Sequence, residues 1–342
     1  MNTRKALACF GPHAGTRFEL QPLADGAPKA GEIEVAVTTA AVNPIDVRRA
    51  EGYGTRLMTL MKAGRFPLVL GNDFAGTVSA VGPGVKTFAV GDHVFGVKPA
   101  SAAGTHTSHV VTKATCALPA PSDHESQALA ALPYSFITMW LALQGAGLSA
   151  DNASGKEVLV HGASGGLGML SLQLLSAWGA RVTAIGWPVT EAACRAAGAT
   201  EVFDCAQKPL KTLTQRFDAT LNFATWDDDL ALVGCLREGA LGHATTVHPL
   251  LSNFDRLGWI RGAVASVATR RRHAAALPAG CKHYAWTVFR PAEGAIAELR
   301  RQVANRRLYL PIGCVVPIDQ AEVAFSHVLE GKPGRALLLP AV

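Results

Sequence analysis

No two of the seven cysteines form a C-x-x-C pair. Cys9, Cys116, Cys194, Cys205, Cys235, Cys281 and Cys314 are scattered, which argues against a zinc cluster and a disulfide framework and for a reducing compartment. A cytoplasmic location is therefore expected. Charge is sparse too, at 17% charged residues and a net charge of +6. The one dense basic run is TRRRH at 269–273, read either as a solvated loop or as an anion site, and no nucleic-acid partner is expected. No apolar run is read as reaching transmembrane length, so no membrane span is expected. The start, MNTRKALACFGPHAG, lacks the apolar stretch of a signal peptide. With 49% hydrophobic residues and no disordered tract, 342 residues suit two globular domains.

The texture of the chain changes near residue 128. Before it, EIEVAVTTAAV (32–42), GTVSAVG (76–82) and DHVFGV (92–97) alternate like antiparallel strands between turns. ALAALPYSFITMWLALQGAG then reads as a helix stopped by glycine. Beyond it, strands EVLVHG, ARVTAI, EVFD, DATLNFA and HATTVH alternate with helices at 166–178, at 190–197 and from about 227. That is the βαβ rhythm of a doubly wound parallel sheet. A helix AEGAIAELRRQVANRR follows, and the tail IGCVVPIDQAEVAFSHVLEGKPGRALLLP returns to strand, helix and strand.

Gly162, Gly165 and Gly168 follow the buried strand EVLVHG at three-residue spacing, with a helix beginning among them. Glycines there permit a tight turn and let a pyrophosphate approach outward-pointing N–H groups at the helix N-terminus. Helix–sheet packing alone would be the other reason for them. About twenty residues on, the strand RVTAI ends where an acid would grip the ribose of NAD, or Ser or Arg the 2′-phosphate of NADP. This chain offers Gly186, Trp187 and Pro188, which do neither. Trp187 either stacks on an adenine or fills the pocket.

From these motifs the chain is identified as resembling the zinc-free medium-chain dehydrogenases/reductases of the quinone oxidoreductase group. Within it, the chain is most similar to the reticulon-interacting mitochondrial oxidoreductases and their bacterial relatives. The segments AAVNPIDVRRAEGYG (40–54), FPLVLGNDFAGTVSAVGPGVKTFAVGDHVFG (66–96), ALPYSFITMWLAL (131–143), LLSNFDRLGWIRG and EVAFSHVLEGKPGRALLL carry the likeness. It implies an α/β fold in which a GroES-like β-rich domain, residues 1–127 and 308–342, is interrupted by an inserted Rossmann domain, 128–307, with the active site in the cleft. It implies hydride transfer from NADPH, with NADH possible, to a quinone or an α,β-unsaturated carbonyl, and a homodimer.

The resemblance also implies site residues. Thr138 would face the nicotinamide ribose, and Asn43 and Asp46 the nicotinamide. Gly162, Ser164, Gly165, Gly166, Leu167 and Gly168 would hold the pyrophosphate. Gly186, Trp187 and Cys205 would lie by the adenosine ribose, and Phe223 and Ala224 under the nicotinamide. Where zinc-dependent cousins carry a Cys and a His-Glu pair, this chain has Pro44 or Ile45 and Asn72-Asp73, so no metal is expected. His106, His109, His243 and His248 read as ordinary strand or loop histidines. Trp187 and Cys205 replace the expected Ser and Tyr, LNFATW (221–226) replaces D-x-V-G-G, and Ser108 and His109 stand where the family has Glu and an aromatic. These departures keep a rival open, a non-redox enzyme or binding protein on a reductase scaffold.

Alkene reduction needs a proton donor. Tyr53, in EGYGT, is either that donor or a packing tyrosine at a turn. Asp46 suits a turn hydrogen bond as well as a ligand contact. Asp227, Asp228 and Asp229 read as acids opening a helix. The loop 52–66 is expected to line the substrate mouth, and GHATTV and GAVASV to pair sheet edges between subunits.

Overall fold

The computed structural model describes residues 4–15, 17–23, 26–100, 103–186, 188–204, 209–305 and 308–340. Two units emerge: Met1–Tyr134 with Pro291–Val342, and Ser135–Arg290. Their boundaries differ from the sequence-based limits at 127 and 307. The helix at Glu293–Ala304 accounts for the second difference, because its residues Arg300, Val303 and Ala304 border one cavity with Phe95 and Pro119–Pro121 of the first unit.

The first unit begins with β1 (Lys5–Cys9), β2 (Phe18–Pro22), β3 (Glu32–Val42), α1 (Pro44–Ala50), α2 (Thr55–Met58), β4 (Leu68–Val69), β5 (Asp73–Val81), β6 (His93–Val97), β7 (His109–Lys113), β8 (Ala117–Pro119) and α3 (Ser126–Ala130). The second holds α4 (Pro133–Gly145), β9 (Glu157–His161), α5 (Gly166–Ala177), β10 (Arg181–Ile185), α6 (Glu191–Ala196), β11 (Glu201–Phe203), β12 (Ala219–Asn222), α7 (Asp229–Gly234), β13 (Gly242–Thr245), α8 (Leu250–Ala275) and β14 (His283–Trp286). The chain then returns to the first unit through α9 (Glu293–Ala304), β15 (Ile312–Pro317), α10 (Ala321–Leu329) and β16 (Arg335–Leu339).

In the first unit a seven-stranded sheet runs β15-β16-β3-β5-β6-β8, with β7 also on β3, beside a three-stranded sheet β2-β1-β4. The tail earns its place by pairing: β16 lies antiparallel to β3, with Leu337 opposite Ala41. Leu7, Val42, Leu68, Phe325 and Leu338 share one buried core, so N- and C-terminal segments fold together.

In the second unit the sheet order is β11-β10-β9-β12-β13-β14, parallel throughout. Strand β9 is buried from Val158 to His161, as expected of a parallel strand covered on both faces. The strand order reverses between β9 and its neighbours β10 and β12, and ligands of such sheets collect at that switch point.

Three sequence-based expectations change. GHATTV forms an interior strand, since β13 is hydrogen-bonded to both β12 and β14, and GAVASV is helical within α8. Neither is a sheet edge; β14 is. The run TRRRH is no loop but the C-terminal part of α8. Finally, the stretch Ser126–Gly145, which takes in α3 and α4, is long and apolar enough to cross a membrane, yet 72% of its most apolar window is buried, as in the core of a folded protein.

Candidate functional site

The glycine turn is built by hydrogen bonds from the end of β10. Ile185 O accepts from Gly162 N and from Ala163 N, each at 2.9 Å. Gly162 sits at φ +83°, a left-handed conformation that suits glycine. Gly165 N donates to Gly162 O at 3.1 Å, and α5 starts at the next residue with no side chain capping it. Its first amides therefore remain available to an anion.

The glycines differ in what they do. A Cβ on Gly168 would lie 2.3 Å from Gly162 O, so that glycine lets the helix pack on the turn. Among the described residues, a Cβ on Gly165 would meet nothing closer than Gly162 O at 3.5 Å, which leaves the open side of the cradle to a ligand. Across the turn, a Cβ on Gly162 would lie 3.1 Å from the Phe223 carbonyl carbon and from Ala224 N. The structure thus brings Gly162, Gly165, Gly168, Phe223 and Ala224 to one end of the sheet. A dinucleotide pyrophosphate fits this cradle. Gly166 and Leu167 form the first turn of α5, and Thr138 is buried within α4.

Gly186 has its own reason. A Cβ there would lie 2.3 Å from Ser164 Oγ. That hydroxyl is 2.6 Å from Thr190 Oγ1, so two hydroxyls bridge the turn and the segment after β10. Sequence reasoning weighed positions 186–188 and 205 and missed Thr190, the residue before α6. A threonine followed by Glu191 at a helix start was the available signal. Trp187 and Cys205 lie outside the described residues.

Behind the switch point sits a buried polar hub. The Asp229 carboxylate accepts from Asn222 Nδ2 and His243 Nε2 on Oδ1, each at 3.0 Å, and on Oδ2 from His273 Nδ1 at 2.9 Å and Tyr284 OH at 3.0 Å. Burial would raise this carboxyl, but these partners, His243 first, hold it well below the usual carboxylate range. Trp226 stacks on His273 with ring centroids 4.4 Å apart, and Trp286 Nε1 donates to Tyr284 OH at 3.0 Å. Asp229 does open α7, yet its side chain points into the core, and His243 is its main partner. Spacing along the chain could not reveal this, because the four donors come from residues 222, 243, 273 and 284. Asn222 also donates to Thr225 O at 2.8 Å and accepts from Ala224 N at 3.3 Å, fixing the Phe223–Ala224 segment that follows β12.

The first unit has a second network. Asn43 and Asp46 are fully buried. The Asp46 carboxylate accepts from Asn43 N at 2.9 Å and Gly71 N at 3.0 Å, tying α1 to the chain before β5. Asn43 Nδ2 donates to Asp73 Oδ2 at 2.9 Å, and Asn43 Oδ1 accepts from Arg335 Nη2 at 2.6 Å. Arg335 lies 3.8 Å from Asp73, whose other oxygen accepts from Tyr134 N. Burial raises the Asp73 carboxyl, against the pull of Arg335. These contacts make Asn43 and Asp46 positioning residues for the start of α1 and for β5. Arg335, from the far end of the chain, was not legible in sequence. Tyr53 follows α1, with the Arg48 guanidinium 3.7 Å from its ring centroid. Asn72 Nδ2 is committed to Lys98 O at 2.9 Å.

Residues 29–122 match the alcohol dehydrogenase GroES-like domain. The NAD(P)H oxidoreductase RTN4IP1 of Danio rerio is 31% identical, the match covering 88% of this chain and 81% of that protein. Its Homo sapiens counterpart is 31% identical over 88% of this chain and 79% of its own length. Among solved structures, CurK enoyl reductase superposes with a TM-score of 0.81 at 20% identity, covering 99% of this chain and all of that one (100%). The quinone oxidoreductase from Coxiella burnetii superposes at 0.77 and 19% identity, covering 99% of each chain. The two structures show the fold; the sequence relatives show the family. This chain belongs to the medium-chain dehydrogenase/reductase superfamily, among the NAD(P)H oxidoreductases related to RTN4IP1.

Proposed function

We propose that this chain reduces quinones or α,β-unsaturated carbonyls with NADPH, NADH serving less well, as a homodimer and without metal. The observation that carries the reading is the uncapped start of α5 inside a glycine cradle whose open side, among the described residues, meets nothing closer than Gly162 O at 3.5 Å. A nicotinamide cofactor, when bound, supplies the hydride. The chain's own residues do the rest. Gly162–Gly168 would hold the pyrophosphate, and Phe223–Ala224 would form the floor beside it. Ser164 and Thr190 offer hydroxyls for the adenosine ribose or its 2′-phosphate. Thr138 would face the nicotinamide ribose.

Tyr53 is the proposed proton donor for an enone substrate. The Arg48 guanidinium over its ring face restrains its orientation. Quinone reduction asks less of the protein, because both oxygens can take protons from water. Asn43 and Asp46 act through the backbone they position.

The test is calorimetric titration with NADPH and NADH, followed by NADPH oxidation against a panel of small quinones and enones. Turnover with any acceptor supports the reductase. Absence of binding by both cofactors would favour the rival, a non-redox protein on this scaffold. Tyr53→Phe should lower turnover of enones by about 10²-fold or more and leave quinone turnover nearly unchanged.

A further inference from the structure

The amphipathicity of α8 is inverted. After Gly258, which breaks the helix at φ +77°, residues 259–275 run as WIRGAVASVATRRRHAA. The side facing the protein is polar or small: Gly262, Ser266 and His273 are buried. His273 is anchored to Asp229, and Ser266 Oγ accepts from Asn253 Nδ2 at 3.1 Å. A Cβ on Gly262 would lie 2.8 Å from Asn253 O, so the two halves of α8 are folded tightly on each other. These contacts fix which face looks out.

The outward face is apolar. Ile260, Val264 and Val267, at i, i+4 and i+7, are 81%, 65% and 50% exposed. Trp259 and Leu257 are exposed at the corner, each at 44%. At 100° per residue, Arg261 and Arg272 flank this stripe on one side, Arg270 flanks it on the other, and Arg271 continues it. Between Asp255 and Glu293 the sequence has no Asp or Glu. An apolar stripe with a tryptophan at one end and arginines at its margins matches helices that lie in a membrane interface. The arginine stems can cover apolar surface while their heads reach phosphate.

We propose that α8 docks this chain on an anionic bilayer surface, lying on it rather than crossing it. Charge decides the occupant. Two copies meeting through this face would bring their arginines together with no acid in the segment to offset them, whereas anionic headgroups neutralise them. The inference goes beyond the reductase reading. Only its consequence rests on that reading: docking would place the reductase where lipophilic quinones dissolve.

The experiment is sedimentation of the full chain, without cofactor, with vesicles of phosphatidylcholine alone and of phosphatidylcholine mixed with phosphatidylglycerol. Expected is binding to the mixed vesicles only, weakened by salt. Arg261→Ser/Arg271→Ser/Arg272→Ser should lower the partition coefficient by roughly fivefold per arginine, about a hundredfold in all. Ile260→Ser/Val264→Ser should lower it at least about tenfold, since each loses buried apolar contact with the acyl boundary. Circular dichroism of both variants should match the parent, because the substituted side chains face solvent. No binding to either vesicle overturns the proposal, as does binding that survives both variants. Light scattering showing that Ile260→Ser/Val264→Ser converts an oligomer to a monomer, with vesicle binding unchanged, also overturns it and assigns the face to a second copy. Because no cofactor is present, failure here leaves the reductase reading untouched.

Discussion

Ser164 Oγ and Thr190 Oγ1 lie 2.6 Å apart, joining the glycine turn to the start of α6, and Gly186 leaves room for the Ser164 hydroxyl, which a Cβ there would meet at 2.3 Å. The two hydroxyls lie by the end of β10, where the proposed cofactor would set its adenosine ribose, and so are candidate donors to it. Thr190→Val should therefore weaken NADPH binding by about tenfold, the worth of one hydrogen bond to a charged group, and change NADH binding less. Calorimetry with both cofactors checks this. Equal losses for the two would mean that Thr190 only holds α6 in place.

The Asp229 hub should dominate the acid sensitivity of the second unit. Its folded pKa is depressed below the ordinary carboxylate value, so its stabilisation is fully present above about pH 4 and is lost as pH falls further. Asp229→Asn should cost about 3–5 kcal/mol at pH 7, because buried donors lose a charged acceptor. The difference from the parent should shrink below about pH 4. Urea unfolding monitored by tryptophan fluorescence reports it directly, since Trp226 and Trp286 belong to the same cluster.

In the first unit, Arg335 holds Asn43 and faces Asp73 in a buried setting. Arg335→Met leaves the Asp73 carboxylate without its cation and should destabilise the chain by about 3–5 kcal/mol. Adding Asp73→Asn to it should recover part of the loss, because the uncompensated charge is then gone. Denaturant midpoints of the single and double variants test the coupling; simple additivity would argue against it.

Two glycine-to-alanine changes should separate folding from binding. Gly168→Ala forces a Cβ to 2.3 Å from a backbone oxygen, so it should cost about 1–3 kcal/mol and loosen the turn. Gly165→Ala has room in the protein and should melt near the parent temperature. Its methyl would intrude on the phosphate approach and should weaken NADPH binding by at least about tenfold. Thermal melts beside cofactor titrations distinguish the two.

The sequence by itself determined the rhythm of the fold. Continuous apolar strands separated by helices specify a covered parallel sheet, and Gly162, Gly165 and Gly168 between strand and helix specify the turn, because both signals are local. The role of GHATTV was not local. It reads like any strand, and only its pairing on both sides made it interior. The run TRRRH has no apolar period of its own; it is helical as the end of α8, whose inward side is held by His273 on Asp229. Tertiary structure alone decided that Asp229 gathers donors from residues 222, 243, 273 and 284, and that Arg335 reaches Asn43 across 292 residues of chain. It likewise decided that α8 turns its valines outward. Burying a carboxylate requires hydrogen-bond donors from any element that can reach it, and those donors fix which helix face looks inward. No periodicity along the chain records that requirement.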